Sequence, residues 1–316
     1  MVGIIILNYN NAPATVNCIE SVLKYNTFPA KFIIVDNGST DDSRSVIDGY
    51  LKGGHPDDYR CFNEEGHEGR LELPCFSLVL SKENGGYARG NNVGLRLADA
   101  DDSIDVVMIL NNDVLFVDDI IPELVSFAWS GQNIGLVSPL LLKRNGTEID
   151  YNCARRDCSL KEVALYYLFY CRDRGGRLAA MADSRKILKT NPSLLAEKSV
   201  PIELPSGSCM LVRKDLFKKA GFFDPETFLY YEENILYHRF LSMGAVNHVL
   251  PELKCIHLGA ETTTRIARSY DYLRRSNRSA YYYVMHYRNL NVFQRAGFAT
   301  LYAFYGSLLW LRQKTK

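Results

Sequence analysis

Short apolar runs alternate with a helical repeat at the start of the chain. Residues 2–7 form a continuous apolar run, which is typical of a strand covered on both faces. Ile19, Val22 and Leu23 then recur at helical spacing, and residues 32–35 form a second apolar run. Strand, helix and strand within about 35 residues predict a βαβ unit, and therefore a sheet that starts parallel.

Two further strands are predicted at residues 78–80 and 105–110. Residues 49–77 are rich in glycine and charge, so we expect a variable surface excursion there. Three of the predicted strands run directly into Asn or Asp residues. Because the carboxyl ends of strands in an open α/β sheet form the ligand crevice, these polar residues are expected to line it.

The pattern changes in the second half of the chain. Residues 150–200 are expected to be mainly helical, and a strand is predicted at residues 209–212. A helix after residue 230 carries Leu236 and Phe240 on one face. Residues 262–316 hold ten Lys or Arg and one acid, together with many Tyr and Phe.

Composition excludes several classes of protein. The 316 residues are 47% hydrophobic, enough for a full core, and the formal net charge of +1 gives no reason to expect nucleic acid. Eight cysteines contain no Cys-x-x-Cys pair, and the loose cluster Cys153, Cys158 and Cys171 lacks zinc-site spacing. Buried free thiols are therefore expected. Residues 1–7 lack the basic region and cleavage site of a signal peptide, so a cytoplasmic protein is expected.

Seven short motifs follow one another along residues 1–260. They are Leu7-Asn8-Tyr9-Asn10, Val35-Asp36-Asn37-Gly38-Ser39-Thr40-Asp41, Asn84-Gly85-Gly86-Tyr87-Ala88-Arg89-Gly90-Asn91-Asn92, Leu110-Asn111-Asn112-Asp113, Gly207-Ser208, Gly221-Phe222-Phe223-Asp224 and Tyr231-Glu232-Glu233. Each is weak alone, but their order and spacing resemble the family 2 glycosyltransferases with the GT-A fold. The resemblance is to the rhamnosyltransferase-like enzymes of bacterial surface-polysaccharide synthesis.

The resemblance implies an α/β architecture. We expect a mixed, mostly parallel central sheet flanked by helices, with a helical C-terminal extension. Residues 1–120 would form the half that binds a nucleotide-sugar, and residues 121–260 the half that binds the acceptor. Residues 261–316 would form a basic, aromatic helical segment.

The nucleotide site is expected along the first strands. Asp36 also fits an ordinary turn after a strand, but the resemblance implies that it accepts the imide N–H of a pyrimidine base. Uracil and thymine offer that proton and cytosine does not, which favours a UDP- or dTDP-sugar and leaves GDP open. Gly86, Gly90 and Gly94 predict close helix–sheet packing, and the helix N-terminus would offer free N–H groups to a diphosphate. The nucleotide-binding candidates are Asn8, Tyr9, Asn10, Asp36, Asn84, Gly86, Arg89, Asn92 and Asn112.

The triplet 111–113 is the candidate metal site. It also fits a polar strand end with a tight turn, but the resemblance implies that Asp113 holds Mn²⁺ or Mg²⁺ against a diphosphate leaving group. Many relatives have Asp at both ends of the triplet; here the first position is Asn111, a neutral residue that is also a candidate metal ligand. His257 fits a structural histidine, and the resemblance implies a further metal ligand, which would favour Mn²⁺.

Glu233 is the candidate catalytic base. Two acids in the first turn of a helix are also stabilised by its dipole, but the resemblance implies that Glu233 deprotonates an acceptor hydroxyl. Relatives have Glu-Asp at this point, and a further acid two residues later is replaced here by Ile235. The acceptor would enter between Gly207-Ser208 and the helix that starts with Glu232.

The C-terminal segment leaves two interpretations. Residues 296–311 are apolar between basic flanks, which fits either a packed helix or a helix lying on the inner face of a membrane. The second would suit a polyprenyl-linked rather than a free saccharide acceptor. Two rival functions stay open: a nucleotidyltransferase that makes nucleotide-sugars, and an inactive sugar-binding subunit.

Overall fold

A computed structural model describes residues 1–64, 69–169, 176–259 and 270–314. The strands are β1 (Val2–Asn8), β2 (Ala30–Asp36), β3 (Tyr59–Asn63), β4 (Phe76–Leu80), β5 (Val106–Asn111), β6 (Val114–Phe116), β7 (Ile134–Leu142), β8 (Ala154–Arg155), β9 (Val200–Ile202), β10 (Leu204–Pro205), β11 (Cys209–Arg213) and β12 (Val246–His257). The helices are α1 (Ala12–Tyr25), α2 (Ser43–Gly54), α3 (Gly86–Ala100), α4 (Ile121–Ala128), α5 (Leu160–Phe169), α6 (Arg177–Asp183), α7 (Ile187–Thr190), α8 (Lys214–Lys219), α9 (Glu232–Ser242), α10 (Tyr270–Tyr287) and α11 (Val292–Lys314).

One large sheet organises the described chain, in the order β3-β4-β2-β1-β5-β11-β7-β12-β6, with β9 also paired to β12. The pairs from β3 to β5 are all parallel, and β7 pairs parallel with β12. Strand β11 runs antiparallel between β5 and β7. The expected mixed, mostly parallel sheet flanked by helices is therefore confirmed.

Residues 49–77 are not simply a surface excursion, because they contain an edge strand. Strand β3 pairs in parallel with β4, and Phe62 is its one buried residue. An edge strand with a single buried side chain carries little apolar pattern, which explains why the sequence analysis missed it.

Helix α3 packs directly on the sheet through its glycines, as the four-residue spacing predicted. A Cβ on Gly94 would lie 2.7 Å from Ile5 Cγ2 and 3.2 Å from Val35 Cγ2. A Cβ on Gly90 would lie 2.6 Å from Leu7 Cδ1. Ile5 and Val35 are fully buried in the sheet, so neither can move away cheaply.

The C-terminal helices pack on α5 and α9 through an aromatic cluster. Tyr167, Tyr283 and Tyr305 are among its fully buried side chains. No helix in the described part of the chain combines the length and apolarity needed to cross a membrane. The first residues of the predicted 261–316 segment, through residue 269, lie outside the described residues.

The expectation of buried free thiols holds for five of the seven described cysteines. Cys18, Cys153, Cys158, Cys209 and Cys255 are buried and free. Cys61 is exposed and Cys75 half-buried, while Cys171 lies outside the described residues.

Replacing Gly94 by alanine should destabilise the protein by about 1–3 kcal/mol, because the added methyl group overpacks the helix–sheet interface. Urea unfolding would measure the change. Gly49→Ala in α2 is the matched control: it places its methyl group in open space and should stabilise by about 0.5–1 kcal/mol. A Gly94→Ala protein as stable as the wild type would contradict the packing argument.

Candidate active site

Asp113 and His257 meet because two strands pair at the end of the sheet. Asp113 stands in the turn between β5 and β6, and His257 pairs in register with Val114, the first residue of β6. The Leu258 amide donates to the Asp113 carbonyl oxygen at 2.9 Å. The side chains then face each other, with His257 Nε2 3.5 Å from Asp113 Oδ2.

A second carboxylate fixes the other side of the imidazole. His257 Nδ1 lies 3.2 Å from Asp150 Oδ2. Burial alone would lower the pKa of His257, but the hydrogen bonds and charges of Asp113 and Asp150 outweigh it and raise that pKa to about 9. A bound cation would take the place of the proton, because a metal-binding imidazole is neutral. The sequence analysis missed Asp150, which is far from the motifs along the chain.

The donor set fits a divalent cation with few protein ligands. Adjacent ligands of an octahedral Mg²⁺ or Mn²⁺ stand about 3 Å apart, near the 3.5 Å between Asp113 Oδ2 and His257 Nε2. Across the described ranges, no group of three or more His, Cys, Asp or Glu side chains is placed to bind a metal. Phosphate and water oxygens would have to complete the shell. The Asp150–His257 contact is of the kind that orients a metal-binding imidazole.

Ser208 connects this pair to the neighbouring strand. Its buried hydroxyl lies 3.3 Å from His257 Nε2 and 3.5 Å from Asn111 Nδ2. The Asn111 amide donates to the Ser208 carbonyl oxygen at 2.8 Å. Asn111 thus stands beside the candidate metal ligands with its side-chain nitrogen toward Ser208, and its proposed role as a ligand stays a prediction.

Gly207 holds Glu233 in place. Its amide donates to Glu233 Oε1 at 2.9 Å, and its carbonyl oxygen accepts from the Tyr87 hydroxyl at 2.6 Å. A Cβ here would lie 2.8 Å from the Tyr87 hydroxyl oxygen and 2.9 Å from Glu233 Oε1, so any larger residue would push these two groups out of their present positions. Arg155 Nη2 lies 3.7 Å from the same Glu233 oxygen. Tyr87 and Arg155 escaped the sequence analysis, since only tertiary packing brings them here.

A continuous series of contacts therefore joins the two ends of the candidate site. Asp113 faces His257, His257 faces Ser208, and Ser208 is the neighbour of Gly207, which binds Glu233. Asp113 and Glu233 belong to one region of the molecule. This arrangement brings a candidate cation ligand and a candidate base to opposite ends of one short path.

Asp36 lies at the end of β2 with no exposed surface. Its carboxylate accepts from Asn8 Nδ2 at 3.0 Å, from the Ser39 amide at 3.2 Å and from Arg44 Nε at 2.7 Å. Arg44 also donates to the Ser81 carbonyl oxygen, which joins the ends of β2 and β4. Arg44 was not predicted from sequence, and Asp36 as a base-binding residue stays a prediction.

The residues after β1 form a rigid polar turn. Asn10 has φ 52°, a left-handed conformation that asparagine tolerates. Its side chain exchanges two hydrogen bonds with Thr40, at 2.8 and 3.2 Å. Tyr9, half-buried, precedes it. Asn112 donates to Thr15 Oγ1 at 3.0 Å, so these candidates gather where β1, β2 and β5 end.

Three backbone amides at the start of α3 already have hydrogen-bond partners within the protein. The amides of residues 85, 86 and 87 donate to Asn37 Oδ1, Asn84 Oδ1 and the Phe228 carbonyl oxygen. The expectation that these helix amides are free for a diphosphate is therefore wrong for all three. Gly86 has φ 80°, and a Cβ there would lie 2.3 Å from the Phe228 oxygen, so its glycine serves close packing.

The remaining two α3 candidates, Arg89 and Asn92, lie in different environments. Arg89 is exposed and donates from Nε to the Pro225 carbonyl oxygen at 2.9 Å. Asn92 is buried and makes two hydrogen bonds, at 2.8 and 3.1 Å, with the backbone of Phe223. Asn92 therefore points away from the polar strand ends and holds the loop after α8.

Glu232 differs sharply from its neighbour Glu233. It is 3% exposed, and among the described residues its Oε1 has no hydrogen-bond partner. Burial, followed by the charge of Glu233, raises the pKa of Glu232 to about 8. The side chain is thus inside the protein and protonated at neutral pH, and a direct acceptor contact for Glu232 stays a prediction.

The chain is similar to known proteins in both its sequence family and its fold. The sequence profile described as glycosyl transferase family 2 matches residues 3–221. The low-salt glycan biosynthesis hexosyltransferase Agl10 of Haloferax volcanii is 24% identical over 231 residues, which cover 73% of this chain and 58% of that protein. The N-acetylglucosaminyl-diphospho-decaprenol L-rhamnosyltransferase of Mycobacterium tuberculosis is 24% identical over 274 residues, or 83% and 77%.

A solved structure shares the architecture. The mannosyltransferase PcManGT from Pyrobaculum calidifontis, solved in complex with GDP-Man and Mn²⁺, superposes with a TM-score of 0.50 at 17% identity. The match covers 88% of this chain and 63% of that one, so the chain spans less than two thirds of both the Agl10 and the PcManGT lengths. At this identity the likeness shows the fold alone.

Glu232→Gln should stabilise the protein by roughly 2–4 kcal/mol at pH 8, because one unit of pKa shift corresponds to about 1.4 kcal/mol. Between the unfolded pKa of 4.5 and the folded pKa of about 8, the folded state binds a proton that the unfolded state has lost. The free energy of unfolding of the wild type therefore falls as pH rises through this window. Glutamine does not titrate, so the variant lacks this pH-dependent loss. Melting temperatures from pH 5 to pH 8 would measure the gain. Glu123→Gln, an exposed first-turn glutamate of α4, should show none; equal pH slopes for wild type and Glu232→Gln would contradict the argument.

Proposed function

Because the chain belongs to glycosyl transferase family 2 and has the GT-A fold, we propose that it transfers a sugar, with inversion, from a nucleotide-diphosphate donor to an acceptor hydroxyl. The observation that carries this proposal is the contact series from Asp113 through His257 and Ser208 to Gly207 and Glu233. It supports an arrangement in which one bound sugar meets a metal-held diphosphate on one side and a base on the other.

The donor nucleotide would lie across the ends of β1 and β2. Asp36 would accept the imide N–H of uracil or thymine, which favours UDP or dTDP, and the N–H donors of guanine leave GDP open. Asp36 has no exposed surface and Arg44 lies against it with 41% of its side chain exposed. The base would have to displace Arg44 to reach the carboxylate. Asn8 and Asn10 would frame the base and ribose.

Asp113 and His257 would hold Mn²⁺ or Mg²⁺, with Asp150 orienting the imidazole. Such a cation supplies charge neutralisation for a departing diphosphate. An imidazole ligand favours Mn²⁺ over Mg²⁺. Asn111 would stand beside the cation as a neutral neighbour.

Glu233 would take the acceptor proton. The Gly207 amide holds one of its oxygens, and burial keeps Glu232 protonated, so the two adjacent glutamates do not repel each other as two anions. As the hydroxyl oxygen bonds to C1 of the donor sugar, its proton passes to Glu233 and the bond from C1 to the diphosphate oxygen breaks. The diphosphate leaves with the electron pair.

The acceptor is proposed to be a saccharide, and more specifically one linked to a lipid. A relative named for a decaprenol-diphosphate substrate supports this choice. Helix α11 supports it independently, because residues 296–311 contain no charge and one face of the helix, including Phe293 and Phe304, is exposed. Basic Arg295 and Lys314 stand at its two ends. An apolar helix face with basic flanks is typical of peripheral contact with an anionic membrane.

Two variants separate transfer from binding. Glu233→Gln should lower sugar transfer by about 10²–10⁴-fold while UDP or dTDP still binds with Mn²⁺. Asp113→Ala should abolish the Mn²⁺-dependent part of nucleotide binding and transfer together. Release of nucleoside diphosphate from UDP- and dTDP-sugars, and calorimetric binding of UDP and dTDP, would measure the two effects.

The exposed Asp118→Ala is the control and should leave both unchanged. A wild-type protein that binds nucleotide-sugars without ever releasing the nucleoside diphosphate would favour the inactive sugar-binding subunit. Synthesis of nucleotide-sugar from a nucleoside triphosphate and a sugar phosphate would favour the nucleotidyltransferase.

Phe293→Ser combined with Phe304→Ser should reduce binding to vesicles that contain anionic lipid by about tenfold, because two exposed rings, 88% and 56% accessible, no longer enter the bilayer surface. Sedimentation with the vesicles would measure the bound fraction. Leu241→Ser on α9, 53% exposed in the wild type, is the matched control and should bind as the wild type does. Equal binding by all three proteins would rule out this face of α11 as the contact.

A further inference from the structure

A cavity of about 370 Å³ lies between the first turn of α3, residues 225–228 and the first turns of α10. Four arginines line it: Arg89, Arg274, Arg275 and Arg278. The acids among its described lining residues are Glu83 and Glu226. Four cations against two acids leave two positive charges, so the cavity is suited to an anion.

The arginines are positioned with donors to spare. Arg275 lies over Phe228, its guanidinium carbon 4.0 Å from the ring centre. Arg278 Nη2 is 3.7 Å from Glu226 Oε2, and 72% of the Arg278 side chain is exposed. Arg89 donates from Nε to a loop carbonyl. Each guanidinium has five N–H donors, and these contacts occupy only one edge or one face of Arg89, Arg275 and Arg278. The planar fork that remains matches phosphate oxygens in pairs.

The cavity offers no obvious place for a nucleobase. Phe228 is the aromatic residue among its described lining residues, and Arg275 covers it. Gly86 packs against the same ring, since a Cβ there would lie 2.8 Å from Phe228 Cδ2. The amides of residues 85, 86 and 87 are also engaged, as described above. The arginine side chains are therefore the main donors for an anion, and a phosphate or diphosphate fits them better than a nucleoside.

One tyrosine relates the cavity to the candidate base. The Tyr87 amide donates to the Phe228 carbonyl oxygen in the cavity wall at 2.9 Å. Its hydroxyl donates to the Gly207 carbonyl oxygen, and the Gly207 amide binds Glu233. The cavity thus lies one tyrosine side chain away from the place where an acceptor hydroxyl would lose its proton.

The connection to α11 runs through α10, which carries three of the arginines. Tyr281 of α10 stacks on Tyr302 of α11 with ring centres 4.2 Å apart. The charges of Arg278 and Arg274 also act on Tyr302, against the burial that raises its pKa. Helix α10, which carries these arginines, therefore packs directly against the helix with the exposed apolar face.

We propose that the arginine cavity binds the diphosphate group of a lipid-linked acceptor. This assignment rests on the proposed function: the acceptor sugar meets Glu233, its diphosphate occupies the cavity, and its hydrocarbon chain leaves toward α11. The two net positive charges match the two charges of a diphosphate diester. The nucleotide-sugar donor also contains a diphosphate, but that group would bind beside Asp113 and His257 through the cation.

The test uses the full chain in two sets of binding measurements, one without a divalent cation (the EDTA arm) and one with Mn²⁺. In buffer with EDTA, calorimetry follows the binding of farnesyl diphosphate and of inorganic pyrophosphate; with Mn²⁺ it follows UDP, dTDP and GDP. Arg274→Gln combined with Arg278→Gln should weaken farnesyl diphosphate at least about tenfold, because two charge-assisted contacts are lost. Binding of the nucleotides with Mn²⁺ should not change. Both side chains are exposed, so folding should be unaffected, and melting temperatures would check this.

Arg96→Gln, at an exposed position of α3, is the matched control and should bind every probe as the wild type does. The double lysine variant should recover part of the farnesyl diphosphate affinity, since it keeps the charges and loses the fork. Unchanged farnesyl diphosphate binding in the double glutamine variant would overturn the proposal. So would a loss confined to UDP and dTDP, which would assign the cavity to the donor. If UDP, dTDP and GDP all fail to bind the wild type in the presence of Mn²⁺ while the EDTA arm behaves as expected, the proposed transferase function fails and the diphosphate site stands.

Discussion

The antiparallel strand β11 is the constraint on which the candidate site depends. Because it runs opposite to β5, it begins where β5 ends, and it brings residues 206–208 to the polar edge of the sheet. Ser208 can then touch both Asn111 and His257, while Gly207 turns its amide toward Glu233. A parallel strand in this position would start at the opposite edge and leave the two groups unconnected.

The same constraint explains why glycine and serine stand side by side there. Gly207 lets Tyr87 and Glu233 approach its backbone to within about hydrogen-bond distance, and a Cβ would displace the ends of both side chains. Ser208 needs a short polar side chain to reach the imidazole. The backbone of Gly207 binds Glu233, and the side chain of Ser208 contacts His257. Two consecutive residues directly before β11 therefore link the Asp113–His257 pair to the Glu233 carboxylate.

Sequence alone predicted the parts of this arrangement that depend on local pattern. The apolar runs gave β1, β2, β4 and β5, and the polar residues after them do gather at one edge of the sheet. The glycine spacing correctly predicted the packing of α3. Pairing of distant strands was beyond such reasoning, so the role of β12 in carrying His257 to Asp113 could come only from the motif resemblance.

Side chains that act from outside the motifs were missed for the same reason. Asp150, Arg44 and Arg155 reach their partners through tertiary packing, and nothing in their sequence neighbourhood marks them. Tyr87 does lie inside a motif, but its contact with Gly207 likewise arises from tertiary packing. Burial is equally invisible in a local pattern. Glu232 and Glu233 are adjacent acids in the sequence. Glu232 is buried and protonated, whereas Glu233 accepts a hydrogen bond from the Gly207 amide.

A buried carboxylate ties the proposed base to the arginine cavity. Asp157 accepts a hydrogen bond from Asn234 Nδ2 and contacts His238. It therefore binds α9 at the residues that follow Glu233. It also accepts from the Tyr283 hydroxyl of α10 and from Arg288 just beyond that helix. Burial alone would raise the pKa of Asp157, but these bonds and the arginine charge outweigh it and lower that pKa.

Asp157 is therefore an anion shared by two helices at neutral pH, and each helix supplies donors that the other cannot replace. Removing a partner of a buried charge costs far more than an exposed ion pair contributes. The start of α9 and the arginine-bearing face of α10 consequently keep a fixed relation. A diphosphate held by α10 would meet a base whose position is set by the same carboxylate, which is what a transferase needs to align an acceptor before transfer.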